Sequence, residues 1–107
     1  MSELRLVYTT WPDAEAARAA ARILVDEGLV ACANLIAGVE SFYRWQGAVE
    51  SSNEVILLLK TLDVRVSEVM QRVGELHSYR VPCVVELSVG QVTAPFLAWA
   101  KDSVSQP

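Results

Sequence analysis

The sequence contains few of the residues from which most catalytic and metal centres are built. Among its 107 residues there is one histidine, His77, and there are two cysteines, Cys32 and Cys83, which form no CxxC pair. A single histidine limits acid–base schemes, and the spacing of the other residues shows no Ser-His-Asp or paired-carboxylate arrangement. The sequence therefore predicts no enzyme, and no four-ligand zinc site can be derived from it.

The chain also lacks a concentration of positive charge and a long hydrophobic run. Its net charge is -4 and its nine basic residues are scattered, which argues against a phosphate-binding surface. Apolar runs such as 55–59 are too short to cross a bilayer, and the initial MSELRL has no basic segment followed by an apolar one. These features predict a cytoplasmic protein without nucleic-acid or membrane partners, in which the cysteines stay reduced and are by default buried thiols.

Hydrophobic residues are abundant by contrast, at 52% of the composition, which is high for so small a domain. The most informative segment is 31–47, a long β-prone stretch broken by Gly38. As one strand it would reach roughly 50 Å, whereas a compact chain of this length has a radius of gyration of about 13 Å. Either Gly38 bends the strand, or the hairpin that follows projects and is covered by another copy of the chain. We therefore predict self-association.

The periodicity along the chain predicts one domain, residues 1–107, with the element order βαββαβ and a C-terminal helix. Gln46 and Gly47 mark a tight turn between the second and third strands, which leaves no room for a helix there. This order predicts an α+β fold, a ferredoxin-like sandwich with an extended β2-β3 hairpin. The predicted strands lie near 4–9, 31–45, 49–59 and 84–89, and the predicted helices near 13–28, 63–77 and from 93 onward.

The third predicted strand is apolar on both faces. Val55, Leu57 and Leu59 alternate with Ile56 and Leu58. We expect helices to cover one of these faces, and a partner subunit or a second packed sheet to cover the other.

Four segments in this order resemble motifs of the divalent-cation tolerance family CutA. They are ACAN at 31–34, YRWQG at 43–47, LKT at 59–61 and HSYRVP at 77–82. The resemblance covers nearly the whole chain. It implies a homotrimer of ferredoxin-like subunits, similar in architecture to PII-type signal proteins, whose extended hairpins pair across subunits.

The resemblance also implies a link to copper or another divalent cation, bound through cysteine and histidine, and no organic cofactor. His77 stands at the family histidine, and Cys32 and Cys83 are the other candidate ligands. Thr9 stands where some members carry a metal-binding cysteine, and Ser78 where the family usually has proline. Cys83, six residues after His77, is suited to compensate as a soft ligand. The alternatives are a helix-terminal imidazole near the last carbonyls for His77 and a small buried residue for Cys32.

A second candidate site is a small-ligand cleft between subunits. Its predicted lining is aromatic and polar: Asn34, Tyr43, Arg44, Trp45, Lys60 and Tyr79. The alternative for the aromatic residues is interface packing, and Trp11, Phe42 and Trp99 have the same interpretation.

The function predicted is that of a non-enzymatic, homotrimeric copper tolerance or response protein. One alternative is a small acylphosphatase-like enzyme on the same fold. That activity needs a cradle of backbone N–H groups and an arginine, whereas the turn at 9–13, TTWPD, offers an acid and a proline. Another alternative is a structural trimer that presents a surface to a protein partner.

Overall fold

The computed structural model describes residues 2–105. Four strands and three α-helices follow in the predicted order, so the α+β class and the βαββαβ plan with a C-terminal helix are confirmed. A short 3-10 turn, Asp63–Arg65, precedes the second helix. The elements are β1 Leu4–Trp11, α1 Ala14–Asp26, β2 Cys32–Trp45, β3 Ala48–Leu62, α2 Val66–Leu76, β4 Val84–Ser88 and α3 Ala94–Ser103.

The strands form one antiparallel sheet in the order β2-β3-β1-β4. The register places Val7 opposite Leu59 and Thr9 opposite Leu57. Because side chains alternate across a strand, these four residues share one face of the sheet. We call this the covered face and the opposite one, which carries Tyr8, the open face.

Helices α1 and α2 pack on the covered face and form the main core with it. Asp13 caps α1, since its carboxylate accepts a hydrogen bond from the Ala16 N–H at 2.8 Å. Gly28, at φ +71°, ends the same helix in the left-handed conformation. Besides Leu24, the helices contribute small and β-branched side chains, which allow close approach to the strands: Ala17, Ala20, Val66, Val69 and Val73.

Helix α3 covers only one end of the open face. It forms a second, smaller core cluster there, made of Leu4, Ala31, Leu62, Ala100 and Val104. Beyond that cluster the open face carries exposed apolar side chains, Ile36, Val85 and Leu87. The predicted apolar character of both faces is therefore confirmed, and helices cover one of them over the main core and the other at one end.

The hairpin formed by β2 and β3 extends beyond the core. The register shifts between Ile36 and Val39, where Gly38 adopts φ +80°. Gln46 and Gly47 make the terminal turn, both at positive φ, as a type I′ hairpin turn requires. Gly38 therefore interrupts the strand, and the hairpin still projects from a molecule 45 Å long. Cover of the hairpin by another copy of the chain stays a prediction.

No helix within residues 2–105 is long and apolar enough to cross a membrane.

Candidate functional site

A cleft of about 700 Å³ lies on the open face, between the hairpin and the α2–β4 loop. We call it the hairpin cleft. Its principal lining residues are Tyr43, Trp45, Glu50, Glu54, Tyr79 and Cys83. A cleft of this volume lies in the range typical of small-molecule sites.

Strand alternation explains why these side chains meet. Tyr43 and Trp45 are two residues apart in β2 and so point to one face. Glu50 stands opposite Tyr43 in the register, and Glu54 follows on the same face of β3. The hairpin therefore presents a row of aromatic rings beside a row of carboxylates.

Tyr79 joins the loop to the hairpin. Its hydroxyl donates a hydrogen bond to Glu54 Oε2 at 3.2 Å. Burial raises the pKa of the Tyr79 hydroxyl, and the negative charge of Glu54 raises it further. The phenol is therefore a stable donor that ties the loop to β3 at neutral pH.

His77 is buried beneath this loop. Its ring stacks on Trp11 with centroids 4.2 Å apart, and Nε2 lies 2.7 Å from the carbonyl oxygen of Thr10. The backbone N–H of Tyr79 donates to Nδ1 at 3.1 Å, so Nδ1 is unprotonated and Nε2–H donates to Thr10. Both ring nitrogens are engaged. The carbonyl that the imidazole contacts belongs to β1, which differs from the predicted interaction with the last carbonyls of α2.

Trp11 belongs to the core of its own chain, so its interpretation as an interface residue was wrong. The indole N–H donates to Thr9 Oγ1 at 2.7 Å, and that hydroxyl donates to the Leu57 carbonyl at 2.8 Å. Trp11 and Thr9 are both fully buried. Phe42 and Trp99 are exposed, and interface packing remains a prediction for them.

The three predicted metal ligands are not brought together within one chain. Cys32 lies on edge strand β2 opposite Lys60, whereas Cys83 is exposed at the start of β4, on the other edge. Two strands lie between them, which puts their backbones at least roughly 14 Å apart. Within residues 2–105 no three His, Cys, Asp or Glu side chains are grouped to hold a metal ion. The residues of a single chain therefore do not fit a divalent-cation centre.

Of the predicted cleft residues, the structure gathers Tyr43, Trp45 and Tyr79 but not the other three. Arg44 lies on the opposite face of the hairpin and approaches its turn, with Nη1 3.5 Å from the Gly47 carbonyl oxygen. Asn34 and Lys60 lie on the open face beyond the Gly38 bulge, and the Lys60 ammonium is 5.5 Å from the Phe96 ring.

Sequence reasoning missed the two carboxylates of the cleft. Glu50 and Glu54 lie in a polar stretch of the hairpin that gave no motif. Pairing the hairpin outward from the turn at Gln46 and Gly47 would have placed Glu50 opposite Tyr43, which was the available signal.

The turn after β1 differs from a phosphate cradle. The carboxylate of Asp13 occupies the first turn of α1, where a bound anion would need free backbone N–H groups. This contact places negative charge where the acylphosphatase-like alternative requires a phosphate.

The fold and the projecting hairpin define a small α+β protein with a half-open antiparallel sheet. The family model described as "CutA1 divalent ion tolerance protein" matches residues 5–103, and the chain belongs to this family. The resemblance noted in the motifs is thereby confirmed.

Several named relatives are similar over nearly their whole length. The divalent-cation tolerance protein CutA of Thermus thermophilus is 39% identical, over 92% of this chain and 95% of its own. That of Pyrococcus horikoshii is 40% identical, over 88% of this chain and 91% of its own.

Solved structures are similar in the same way. The crystal structure of CutA from Xylella fastidiosa superposes with a TM-score of 0.93 at 35% identity, covering 95% of this chain and 98% of that one. A CutA from Archaeoglobus fulgidus, described as periplasmic, has a TM-score of 0.93 at 30% identity, covering 96% of this chain and 100% of its own. One relative is thus described as periplasmic, and a cytoplasmic location for this chain remains a prediction.

Proposed function

We propose that this chain acts in divalent-cation tolerance as a non-enzymatic homotrimer. In this proposal it binds a divalent cation, copper being the one implied by the family resemblance, or a small ligand near the junctions between subunits. The observation that carries the proposal is the partly uncovered sheet. Its open face displays apolar side chains that a single chain leaves in contact with water.

The open face favours association because it exposes apolar side chains on both edge strands. Val85 and Leu87 lie on short edge strand β4 and Ile36 on edge strand β2, so both edges of the sheet carry exposed apolar groups. The projecting hairpin adds Trp45 to this face. Covering such surface with a second copy removes apolar area from water and pairs exposed strand edges.

A position near subunit junctions also accommodates the separation of the candidate ligands. Cys32 and Cys83 lie on opposite edges of one sheet, so a site that uses both would combine residues from two chains. His77 would contribute only after giving up one of its two hydrogen bonds, because a metal needs a free ring nitrogen. The cysteines are therefore the better first targets for mutation.

The assembly is tested by light scattering across a range of protein concentrations. Three subunits of 11.7 kDa should give a particle of about 35 kDa that persists at micromolar concentration. Replacing Leu87 by Glu should dissociate it while far-UV circular dichroism stays unchanged. A stable monomer of the unaltered chain at these concentrations would contradict the proposal.

Cation binding is tested by titrating the assembled protein with Cu(I) and Cu(II). Binding tighter than about millimolar is expected, with loss in Cys32→Ser or Cys83→Ser. Ser105→Ala, outside all candidate sites, is the matched control. Equal weak uptake by all the variants and by the unaltered protein would remove the cation from the proposal.

The proposal includes a cytoplasmic location and no nucleic-acid or membrane partner. The net charge of -4 supports the part that concerns nucleic acid. Fractionation of the producing cell, with antibody detection, tests the location. Recovery in a periplasmic or membrane fraction would refute it.

A further inference from the structure

We propose that the hairpin cleft binds a small organic cation that carries a substituted ammonium group. The aromatic rings of Tyr43, Trp45 and Tyr79 and the carboxylates of Glu50 and Glu54 would contact it. This inference rests on the proposed function in placing a ligand on the open face, and it goes further by naming the chemical class of that ligand.

Within a single chain the aromatic rings of the cleft are partly exposed. Trp45 is 58% exposed, Tyr43 41% and Tyr79 38%. The face of an aromatic ring carries negative potential and attracts cations, most strongly for tryptophan. Tyr79 is also held in place, because its hydroxyl bonds to Glu54 and its ring lies 4.8 Å from that of His77. The rings therefore offer a cation a surface that is already partly ordered.

The charged side chains of the cleft also favour a positively charged ligand. Glu50 and Glu54 line it together with one basic side chain, that of Arg80. The Tyr79 hydroxyl bonds one oxygen of Glu54 and leaves the carboxylate further acceptor capacity. Because the pKa of Tyr79 is raised, its phenol stays protonated at neutral pH and remains a donor to Glu54. Net negative potential next to aromatic faces is complementary to an ammonium ion.

The geometry favours a bulky organic cation over a bare metal ion. Glu50 and Glu54 are four residues apart in an extended strand, so their backbones lie roughly 13 Å apart. Aromatic ring faces supply no lone pair to a divalent metal, which prefers several close oxygen, nitrogen or sulfur ligands. The cleft, at about 700 Å³, is far larger than one ion requires. The separated carboxylates and the extended ring surface of the cleft suit a cation whose charge is spread over methyl groups.

The probe for the first experiment is choline, titrated into the assembled protein and followed by calorimetry and by tryptophan fluorescence. Its neutral isostere, 3,3-dimethyl-1-butanol, has the same shape without the charge. Choline should bind at least about tenfold more tightly than the isostere, since only choline gains from the rings and carboxylates. Equal binding of the two, or no binding of choline, would overturn the inference.

Variants locate the binding in the cleft. Trp45→Leu and Glu54→Gln should each weaken choline binding at least about fivefold. Phe42→Leu is the matched control, because Phe42 is on the same strand but on the opposite face, and it should leave the affinity unchanged. A Phe42→Leu loss equal to that of Trp45→Leu would refute the cleft as the site. Light scattering on each variant shows whether the assembly is intact, so that loss of the cleft is separated from loss of the junction.

The outcomes also separate this inference from the proposed function. Copper uptake by a trimer that does not bind choline would refute the inference and leave the proposed function standing. Choline binding by a protein that is monomeric and takes up no copper would refute the proposed function and leave this inference standing.

Discussion

The two faces of the central sheet carry similar residues and have different surroundings. Leu57 and Leu59 in β3 are fully buried on the covered face, whereas Leu87 in β4 is 40% exposed on the open face. Two amphipathic helices return to the covered face, and only the end of the open face receives α3. The comparison shows that burial of a strand residue depends on what the chain can place over it, not on its own hydrophobicity.

Polar groups divide in the same way. On the covered face Thr9 and Thr61 are buried, and each hydroxyl donates to a main-chain carbonyl, that of Leu57 and that of Leu29 respectively. On the open face, the carboxylates of Glu50 and Glu54 lie in a cleft that is open to solvent. The polar groups of the covered face are therefore buried and paired with the main chain, whereas the carboxylates of the open face remain accessible to solvent.

The largest expected difference between the faces is in the response to truncation. Leu57→Ala should lower the free energy of unfolding by about 2–5 kcal/mol, because it leaves a cavity in a packed core. Leu87→Ala removes the same atoms from the open face and should cost less than about 1 kcal/mol within a single chain. Denaturant unfolding at several protein concentrations measures both. A Leu87→Ala loss that grows as the protein is diluted would show that a second copy covers that face.

Buried polar pairing on the covered face should have a smaller effect. Thr9→Val removes the acceptor of the Trp11 indole N–H and one donor to the Leu57 carbonyl, and should cost about 1–3 kcal/mol because the indole N–H is left buried without a partner. Thr61→Val, the matched substitution, removes only the hydrogen bond to the Leu29 carbonyl. It should therefore lower the free energy of unfolding by less. Thermal unfolding of the two variants compares them directly. Equal losses would mean that the Trp11 bond adds nothing to the stability of the covered face.

The outer surface of the covering layer should tolerate change. Gly74 lies in α2, is exposed, and has open space where a Cβ would be placed. Gly74→Ala should raise the free energy of unfolding by about 0.4–1 kcal/mol, since alanine loses less backbone entropy on folding. Gly47→Ala is the control of opposite sign. Because Gly47 has φ +83° in the hairpin turn, this substitution should destabilise the protein. Denaturant midpoints decide the two signs, and destabilisation by Gly74→Ala would be the contrary result.

The smallest expected effect is the titration of Tyr79 on the open face. Because its pKa is raised above the ordinary 10.0, the neutral phenol contributes stability below that pH, and the contribution is lost as the pH rises through the folded-state pKa. The difference in absorbance between the protein and Tyr79→Phe should therefore titrate above pH 10.0. Glu54→Gln should lower the midpoint by removing the nearby charge. A midpoint at or below 10.0 in the unaltered protein would contradict the contact.

Much of the fold could be predicted because its signals are local. Alternation in 55–59 indicated which residues share a face, Gly28 marked the end of α1, and the turn at Gln46 and Gly47 excluded a helix between β2 and β3. The site was less predictable because its partners are distant in sequence. Nothing near His77 in the chain reveals that its ring stacks on Trp11 and bonds to Thr10. Likewise, nothing in the sequence shows that Cys32 and Cys83 lie at opposite edges of the sheet, because this depends on the order of the strands.

Amino-acid order alone determined the family, the succession of strands and helices and the apolar character of both sheet faces, since periodicity and turn chemistry act over a few residues. The tertiary structure decided which face is covered, that both nitrogens of His77 are occupied, and that aromatic rings meet carboxylates in the hairpin cleft. Those outcomes depend on which strands become neighbours in the sheet, and contacts between residues far apart in the chain exist only once it has folded.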